Sequence, residues 1–264
     1  MSEPQQPHPK RPHPLERRAS EPPPAPPPPP RGTPIPTARP VVTMVLLAIV
    51  VVVFFAQQVE PEITFDFMKS DTAIIQDGEY YRLITVMFLH GSLLHLFFNA
   101  YALYAIGTTV ERLFGSVRFA IIYLLGGLSG SVASLVFTPA SSVGASAAIF
   151  ALLGAEAVFF FVHRDLFGVH GRRRLGNLIF VALINLLLGA ASPVIDNWGH
   201  VGGLFGGVVL AWFIGPRLRL HVEPWVGVTA HVVDDNPLQH AWPAALLFVG
   251  GLTAALVYVV LSWS

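Results

Sequence analysis

Seven apolar runs, each near the roughly 20 residues that cross the hydrocarbon core of a bilayer, constrain this chain most strongly. Charged residues make up only 12% of the chain, about half the share typical of soluble domains. We therefore predict an all-α fold, a polytopic bundle of membrane helices. The runs lie at about 41–57, 93–112, 117–138, 145–163, 175–191, 198–215 and 241–262.

The basic residues predict how these helices are oriented, because loops on the cytoplasmic side carry an excess of Lys and Arg. If the N-terminal segment is cytoplasmic, seven spans place all 16 Lys and Arg residues on that side except Lys69 and Arg82. We expect an integral multi-pass protein whose N-terminus is cytoplasmic and whose C-terminus is outside. A bacterial cell membrane fits this arrangement best, although the sequence leaves the source organism open.

Proline and charge divide the chain into four parts. Residues 1–39 are rich in proline, which predicts a disordered cytoplasmic tail. Residues 40–215 contain six spans and form the predicted core. Residues 216–240 form a predicted cytoplasmic loop, and residues 241–264 a seventh transmembrane helix. What the tail and the loop contact stays open.

Three of the runs carry polar residues in the turn that begins at the predicted outer face. These residues are His95 and Asn99 in the second run, Ser146 in the fourth and His200 in the sixth. Polar groups within a membrane are costly and usually face a bundle interior or a wet cavity. We therefore expect the four side chains to lie at a similar depth and to form one site.

A serine and a histidine in such a site predict nucleophilic catalysis. Ser146 would be the nucleophile and His200 the base that takes its proton. Gly144 would let the backbone approach closely. The Ser146 backbone N–H at the helix N-terminus, with Asn99 and His95 as side-chain donors, would stabilise a developing oxyanion.

Two residues near the pair have less certain roles. Phe150 lies four residues after Ser146 on the same helix face, so its ring either packs on the imidazole of His200 or fills the lipid-facing or core surface. Asp196 lies four residues before His200 and could orient it. We favour a plain Ser–His dyad over a triad that includes Asp196.

Four further residues are interpreted as structural. Glu111 in the pattern Gly-x-x-x-Glu-x-x-x-Gly could accept bonds from N–H groups at a neighbouring helix end. Arg82 is expected to fix the outer loop. Gly203 and Gly207 form a small-xxx-small face that suits close helix packing in lipid.

Several other classes of function lack their parts. The chain has no cysteine, which excludes thiolate catalysis and Cys-ligated metal, and His-Glu-x-x-His is absent. We predict no metal site and no cofactor. A transporter or channel could use the same polar residues, but no convincing internal repeat is present. Expected partners are transmembrane substrates and the bilayer, with no nucleic acid; the oligomeric state stays open.

Five motifs in order, over roughly residues 78–210, resemble the rhomboid family of intramembrane serine proteases. They are GEYYR at 78–82, FLHGSLLHLFFN at 88–99, the Gly-x-x-x-Glu-x-x-x-Gly pattern at 107–115, Gly-x-Ser at 144–146, and the His-x-x-Gly-x-x-x-Gly pattern at 200–207. Each motif alone is weak, but the ordered set is highly specific. The seventh span would be an extra helix after a rhomboid-like six-helix core.

The resemblance implies a function for each matching position. Ser146 would be the nucleophile and His200 the general base and then the acid. Asn99, His95 and the Ser146 N–H would form the oxyanion hole. Phe150 stands where family members often have Tyr, which keeps a ring for stacking on the histidine.

The implied reaction is cleavage of transmembrane segments near the outer face, at small residues beside helix-destabilising sequence. The fifth span and the loop around 191–197 would form a lateral gate for the substrate. The alternative is a catalytically inactive relative that binds transmembrane segments without cutting them. The natural substrate cannot be read from the sequence.

Overall fold

A computed structural model describes residues 37–138, 140–223 and 229–263, so most of the proline-rich tail predicted over 1–39 lies outside the described residues. Helices form where the apolar runs were predicted, and their bounds are as follows. They are α1 (Val41–Val59), α2 (Glu62–Phe67), α3 (Asp71–Ile75), α4 (Arg82–Thr85), α5 (Leu93–Ala102), α6 (Thr108–Phe114), α7 (Ser116–Phe137), α8 (Ser146–Val162), α9 (Arg164–Ala190), α10 (Asn197–Ile214) and α11 (Leu238–Trp263).

All seven predicted spans are helical, and six are long and apolar enough to cross a membrane. A π-helical turn joins α5 and α6 into one of these six, Leu93–Phe114. The seventh, α8, has only 17 residues, about 25 Å at 1.5 Å per residue, against about 30 Å of hydrocarbon. The prediction of an all-α membrane bundle with an extra C-terminal helix is confirmed, and the shortest of its seven spans begins at Ser146.

The centre of the bundle is α8 packed between α7 and α10. Glycine makes this packing close: a Cβ added at Gly203 would collide with the carbonyl oxygen of Ala147, and one at Gly207 with that of Ala151. The backbones of α8 and α10 therefore touch along two turns. This contact holds the start of α8 against the start of α10, which is where the predicted site lies.

Two features on the predicted cytoplasmic side differ from the sequence-based boundaries. The fifth span begins at Arg164, earlier than the predicted 175, and bends at Gly168, where φ is 54°. The predicted loop 216–240 contains an antiparallel hairpin of β1 (Leu218–Glu223) and β2 (Thr229–Asp234). Neither segment lies within the predicted apolar runs. Charged residues interrupt the beginning of the fifth span, and the two strands of the hairpin are short.

Glu111 ties together three helices at the ends that are predicted to face the cytoplasm. Its carboxylate accepts hydrogen bonds from the backbone N–H groups of Val42 (2.9 Å) and Thr43 (2.7 Å) and from the Ser116 hydroxyl (2.6 Å). Pro40, which precedes α1, provides no side-chain cap. Glu111 therefore caps the first span from a distance of almost 70 residues in the sequence.

The segment between α1 and α5 folds over the outer ends of the helices, and Arg82 organises it. Its guanidinium donates to the carbonyl oxygens of Phe65 (2.6 Å) and Met68 (3.1 Å), and it pairs with Glu79 at 2.5 Å. These bonds satisfy carbonyls on a segment with only short helices. Arg82 lies in this loop network, as expected for a residue that fixes the loop.

Candidate active site

Ser146 is the first residue of α8, and the backbone before it has an unusual shape. Gly144 has a φ of +136°, a conformation that residues with a Cβ rarely adopt. The N–H of Gly144 donates to the carbonyl of Val86 at 3.0 Å. Because the turn is held in this way, the Ser146 side chain is left to face the neighbouring helix rather than cap its own.

The structure brings Ser146 and His200 into direct contact. The Nε2 atom of His200 lies 2.9 Å from the Ser146 Oγ, within the range for a nucleophile hydrogen-bonded to its base. His200 lies in the first turns of α10, and its ring is mostly buried. The glycine contact between α8 and α10 sets the separation of the two side chains.

Phe150 packs on the imidazole of His200. The ring centroids are 4.4 Å apart and the planes differ by 11°. Phe150 lies one turn below Ser146 on α8, so a single helix presents both the serine and the ring that stacks on the imidazole. The structure shows the contact with the histidine, and Phe150 also packs in a buried cluster with Leu153 and Leu178.

Asp196 has a different position from that of a third triad member. Its Oδ1 accepts the N–H of Gly199 at 2.9 Å, which caps α10, and its Oδ2 accepts the hydroxyl of Ser134 at 2.5 Å. In the described part of the chain, the buried Nδ1 of His200 has no hydrogen-bond partner. Asp196 thus positions the helix that carries His200, and the geometry is that of a dyad.

His95 and Asn99 lie one turn apart on α5. A Cβ at Gly144 would come within 2.9 Å of the His95 Nε2, so the imidazole rests against the turn that precedes Ser146. The amide of Asn99 is buried and donates to the carbonyl of His95 at 3.0 Å. This bond uses one of the two N–H groups of the Asn99 amide.

A cavity of about 20 Å³ adjoins the pair, which is room for one water molecule. Its lining includes Ser146, His200, Gly144 and the polar side chains of Ser131 and Asp196. Over the described ranges, no group of three or more His, Cys, Asp or Glu residues could hold a metal ion.

Two buried polar residues near the site escaped the sequence interpretation. Lys69, in the outer segment, is 0% exposed; the signal that could have identified it is its place as one of the two basic residues on the predicted outer side. His90 is also buried, and its ring lies 5.2 Å from that of His95. Burial, followed by the nearby His95, lowers the pKa of His90 to about 4.

Residues 77–217, just over half of the chain, match the Rhomboid domain. The chain belongs to the rhomboid family. The matched segment contains every residue assigned to the site from the sequence, from Arg82 to Gly207, whereas Lys69 lies before it. Rhomboids are generally intramembrane serine proteases that act on transmembrane substrates in the bilayer, and a Ser–His dyad is a feature of the family.

Individual relatives support the same assignment. Rhomboid protease GluP of Bacillus subtilis (strain 168) is 40% identical over 183 residues, which cover 67% of this rhomboid and 35% of that protein. RHOMBOID-like protein 7 of Arabidopsis thaliana is 39% identical over 191 residues, or 70% of this chain and 60% of that protein. The mitochondrial RHOMBOID-like protein 6 of the same plant is 33% identical over 191 residues, covering 70% and 62%. This rhomboid thus spans about a third to three fifths of the length of these relatives.

Proposed function

We propose that this rhomboid is an active intramembrane serine endopeptidase that cuts transmembrane segments of other membrane proteins. The observation that carries the proposal is the 2.9 Å approach of the His200 Nε2 to the Ser146 Oγ. The proposed oxyanion donors are the Ser146 N–H at the start of α8, where backbone N–H groups lack partners within the helix, and the side chains of His95 and Asn99 on α5. A nucleophile, its base and a place for the oxyanion are the parts that acyl transfer requires.

In the first half of the proposed reaction, Ser146 Oγ bonds to the carbonyl carbon of the scissile peptide while His200 Nε2 takes the hydroxyl proton. The carbonyl oxygen becomes an oxyanion, stabilised by the Ser146 N–H, Asn99 and His95. His200 then gives the proton to the departing amine nitrogen, the C–N bond breaks, and an acyl ester remains on Ser146. Phe150 keeps the imidazole plane in place through both transfers.

In the second half, water attacks the acyl ester and His200 Nε2 takes one of its protons. The same donors hold the oxyanion, and the proton then passes to Ser146 Oγ as the ester bond breaks, which releases a carboxylic acid. The cavity beside Ser146 and His200 has room for one such water. Water is scarce in the hydrocarbon of a bilayer, so a cavity that holds one water beside Ser146 would supply the reactant for this step.

The length of α8 supports a cleavage site below one membrane surface, because a helix of about 25 Å cannot span about 30 Å of hydrocarbon. We assign that surface to the outer side on the basis of the basic residues. The proposed topology has residues 1–39 as a cytoplasmic tail, 216–240 as a cytoplasmic connection and the C-terminus outside. A bacterial cell membrane is the proposed location.

The decisive experiment compares wild-type protein, Ser146→Ala and His200→Ala in detergent and in liposomes, with a reporter protein that has one transmembrane segment. The wild type should cut the reporter, and each variant should lose at least about 10⁴-fold in rate. A fluorophosphonate should label the wild type on Ser146 alone. Thermal unfolding of the variants serves as the control for folding.

Two outcomes would contradict the proposal in different ways. Cleavage by Ser146→Ala at the wild-type rate would exclude Ser146 as the nucleophile. Binding of the transmembrane reporter by the wild type, with neither cleavage nor labelling, would instead identify an inactive rhomboid that recognises transmembrane segments.

A further inference from the structure

Lys69 is fully buried at the outer end of the bundle, where the charge pattern predicts few basic residues. Its side chain is 0% exposed. Lysine is almost never fully buried unless it is paired, because its ammonium group loses its hydration. The energetic cost of burying this ammonium group indicates that the group has a specific role.

The contacts of the ammonium group show what that role is. Its Nζ donates to the carbonyl oxygens of Thr138 and Ala140, each at 2.9 Å, and forms an ion pair with Asp71 at 2.9 Å. Thr138 and Ala140 belong to the connection between α7 and α8. Two hydrogen bonds and one ion pair thus link this ammonium group to two points of that connection and to one acid of the segment between α1 and α5.

The backbone of Lys69 holds the same connection. Its N–H donates to the carbonyl of Ser142 at 3.1 Å, and its carbonyl accepts the N–H of Ser142 at 3.2 Å. Two residues later, Gly144 donates to Val86. The chain from 140 to 144 is therefore bonded at successive points, and its next element is the helix turn that begins with Ser146.

The ion pair with Asp71 does not account for the burial of Lys69. Burial raises the pKa of Asp71, and the hydrogen bond and charge of Lys69 only partly oppose this. The ionised carboxylate is therefore less favoured in the folded protein than in water, and the pair brings no clear gain in stability. The two carbonyl contacts are the part of the arrangement that has a consequence for the site.

We propose that Lys69 is a positioning residue for the proteolytic reaction. It holds the 138–142 connection so that Gly144 and the Ser146 N–H keep the geometry that the oxyanion needs. Lys69 does not touch the substrate. This inference rests on the proposed function, since it concerns the same nucleophile, and it adds a residue outside the segment matched by the Rhomboid domain.

The test compares Lys69→Met with Arg118→Met in the same reporter assay. Arg118 is a matched control because it is also mostly buried and also ties a connection to the bundle, but at the inner end. It pairs with Asp234 at 2.9 Å and donates to the carbonyl of Asn236. Both substitutions remove one basic side chain, one ion pair and at least one bond to a carbonyl, so both should lower the melting temperature.

Only Lys69→Met should impair the chemistry. We expect kcat to fall roughly 10- to 100-fold, the effect of an error of up to about 1 Å at a reacting group, with KM changed by less than about twofold. Fluorophosphonate labelling of Ser146 should slow by a similar factor. Arg118→Met should keep both rates within about twofold of the wild type.

A purely structural role for Lys69 predicts a lower melting temperature with unchanged kcat and labelling rate, and that result would overturn the inference while leaving the proposed function intact. Failure of the wild type to cleave or label would reject the proposed function instead.

If Lys69→Met does not fold, Lys69→Gln and Asp71→Asn test the same inference. Gln keeps part of the contact and should lose kcat by a smaller factor, whereas Asp71→Asn keeps both carbonyl contacts and should retain kcat. Full kcat in Lys69→Gln, or a large loss in Asp71→Asn, contradicts the role assigned to the carbonyl contacts.

Discussion

Glu111, at the predicted inner end of the helix bundle, and two histidines at the predicted outer end differ in how their buried polar atoms are satisfied. At the inner end, the Glu111 carboxylate accepts bonds from Val42, Thr43 and Ser116. At the outer end, the Nδ1 of His200 and both ring nitrogens of His90 are buried, and none of them has a hydrogen-bond partner among the described residues.

This difference separates the residues that stabilise the bundle from those available for chemistry. A buried carboxylate whose oxygens accept hydrogen bonds stabilises the contact between helices. A buried imidazole nitrogen without a hydrogen-bond partner lowers stability, but such a ring can exchange protons. The outer end also has a cavity beside Ser146 and His200. We therefore expect substitution of the proposed oxyanion donors to change the reaction rate more than stability, and substitution of packing residues inside the bundle to do the reverse.

The strongest test of this comparison at the outer end is Asn99→Ala. Loss of one oxyanion donor should lower kcat by roughly 10²- to 10³-fold, with little change in melting temperature. Gln58→Ala is the control, because the exposed Gln58 amide also donates to the carbonyl four residues before it in its helix, Phe54. Steady-state cleavage of the reporter measures both. Equal rates for the two variants would remove Asn99 from the proposed oxyanion hole.

Gly207→Ala tests the packing within the bundle. We expect this substitution to lower the free energy of unfolding before it affects the cleavage rate. The added Cβ would meet the backbone of Ala151, and overpacking of this kind costs up to about 3 kcal/mol of unfolding free energy. Gly250→Ala is the matched change on α11, where nothing lies within 4 Å. It should be neutral or gain up to about 1 kcal/mol.

Denaturation of both glycine variants in detergent gives the comparison directly. A Gly207→Ala protein as stable as Gly250→Ala would show that α8 and α10 can separate without cost, which contradicts the close packing described above.

The smallest expected effect concerns His90 and acid. The folded protein lowers the pKa of His90 to about 4, chiefly because the ring is buried and also because His95 lies near it. Below the unfolded pKa of about 6.5, the unfolded chain binds the proton more readily, so stability falls as pH decreases from 6.5 towards 4. Between pH 7 and pH 5, protonation of His90 in the unfolded chain should lower the free energy of unfolding by about 2 kcal/mol.

His90→Phe should make the dependence of unfolding free energy on pH shallower by that amount. Chemical denaturation of wild type and variant at a series of pH values measures the difference. Parallel curves for the two proteins would mean that His90 binds protons equally well in the folded and unfolded states.

Much of this architecture could be predicted from the sequence because it depends on local properties of the chain. Each apolar run is long enough to require a helix, and the positions of Ser146, His200 and Asn99 within their runs place them at a common depth. The kink at Gly168 and the hairpin within 216–240 were missed, because neither has an apolar period that identifies it.

The predicted dyad could be proposed from residue types, but its partners could not. Asp196 lies in the sequence where a third triad member could be, yet it caps α10 and binds Ser134 on α7. Phe150 had two nearly equal roles until the distance between its ring and that of His200 was known. Sequence separation says which helix face a residue shares, but not what lies opposite that face.

The sequence by itself determined the membrane bundle, its family and the residue types of the proposed catalytic pair, because hydropathy and motif spacing are properties of the linear sequence. Only the tertiary structure decided which buried polar groups are satisfied and by what. Lys69 and Thr138 are 69 residues apart, and their contact depends on how the outer segment folds over the bundle. The local sequence therefore places Ser146 at the start of α8. Its proposed alignment depends on Lys69, which lies outside the Gly144-Ala145-Ser146 motif.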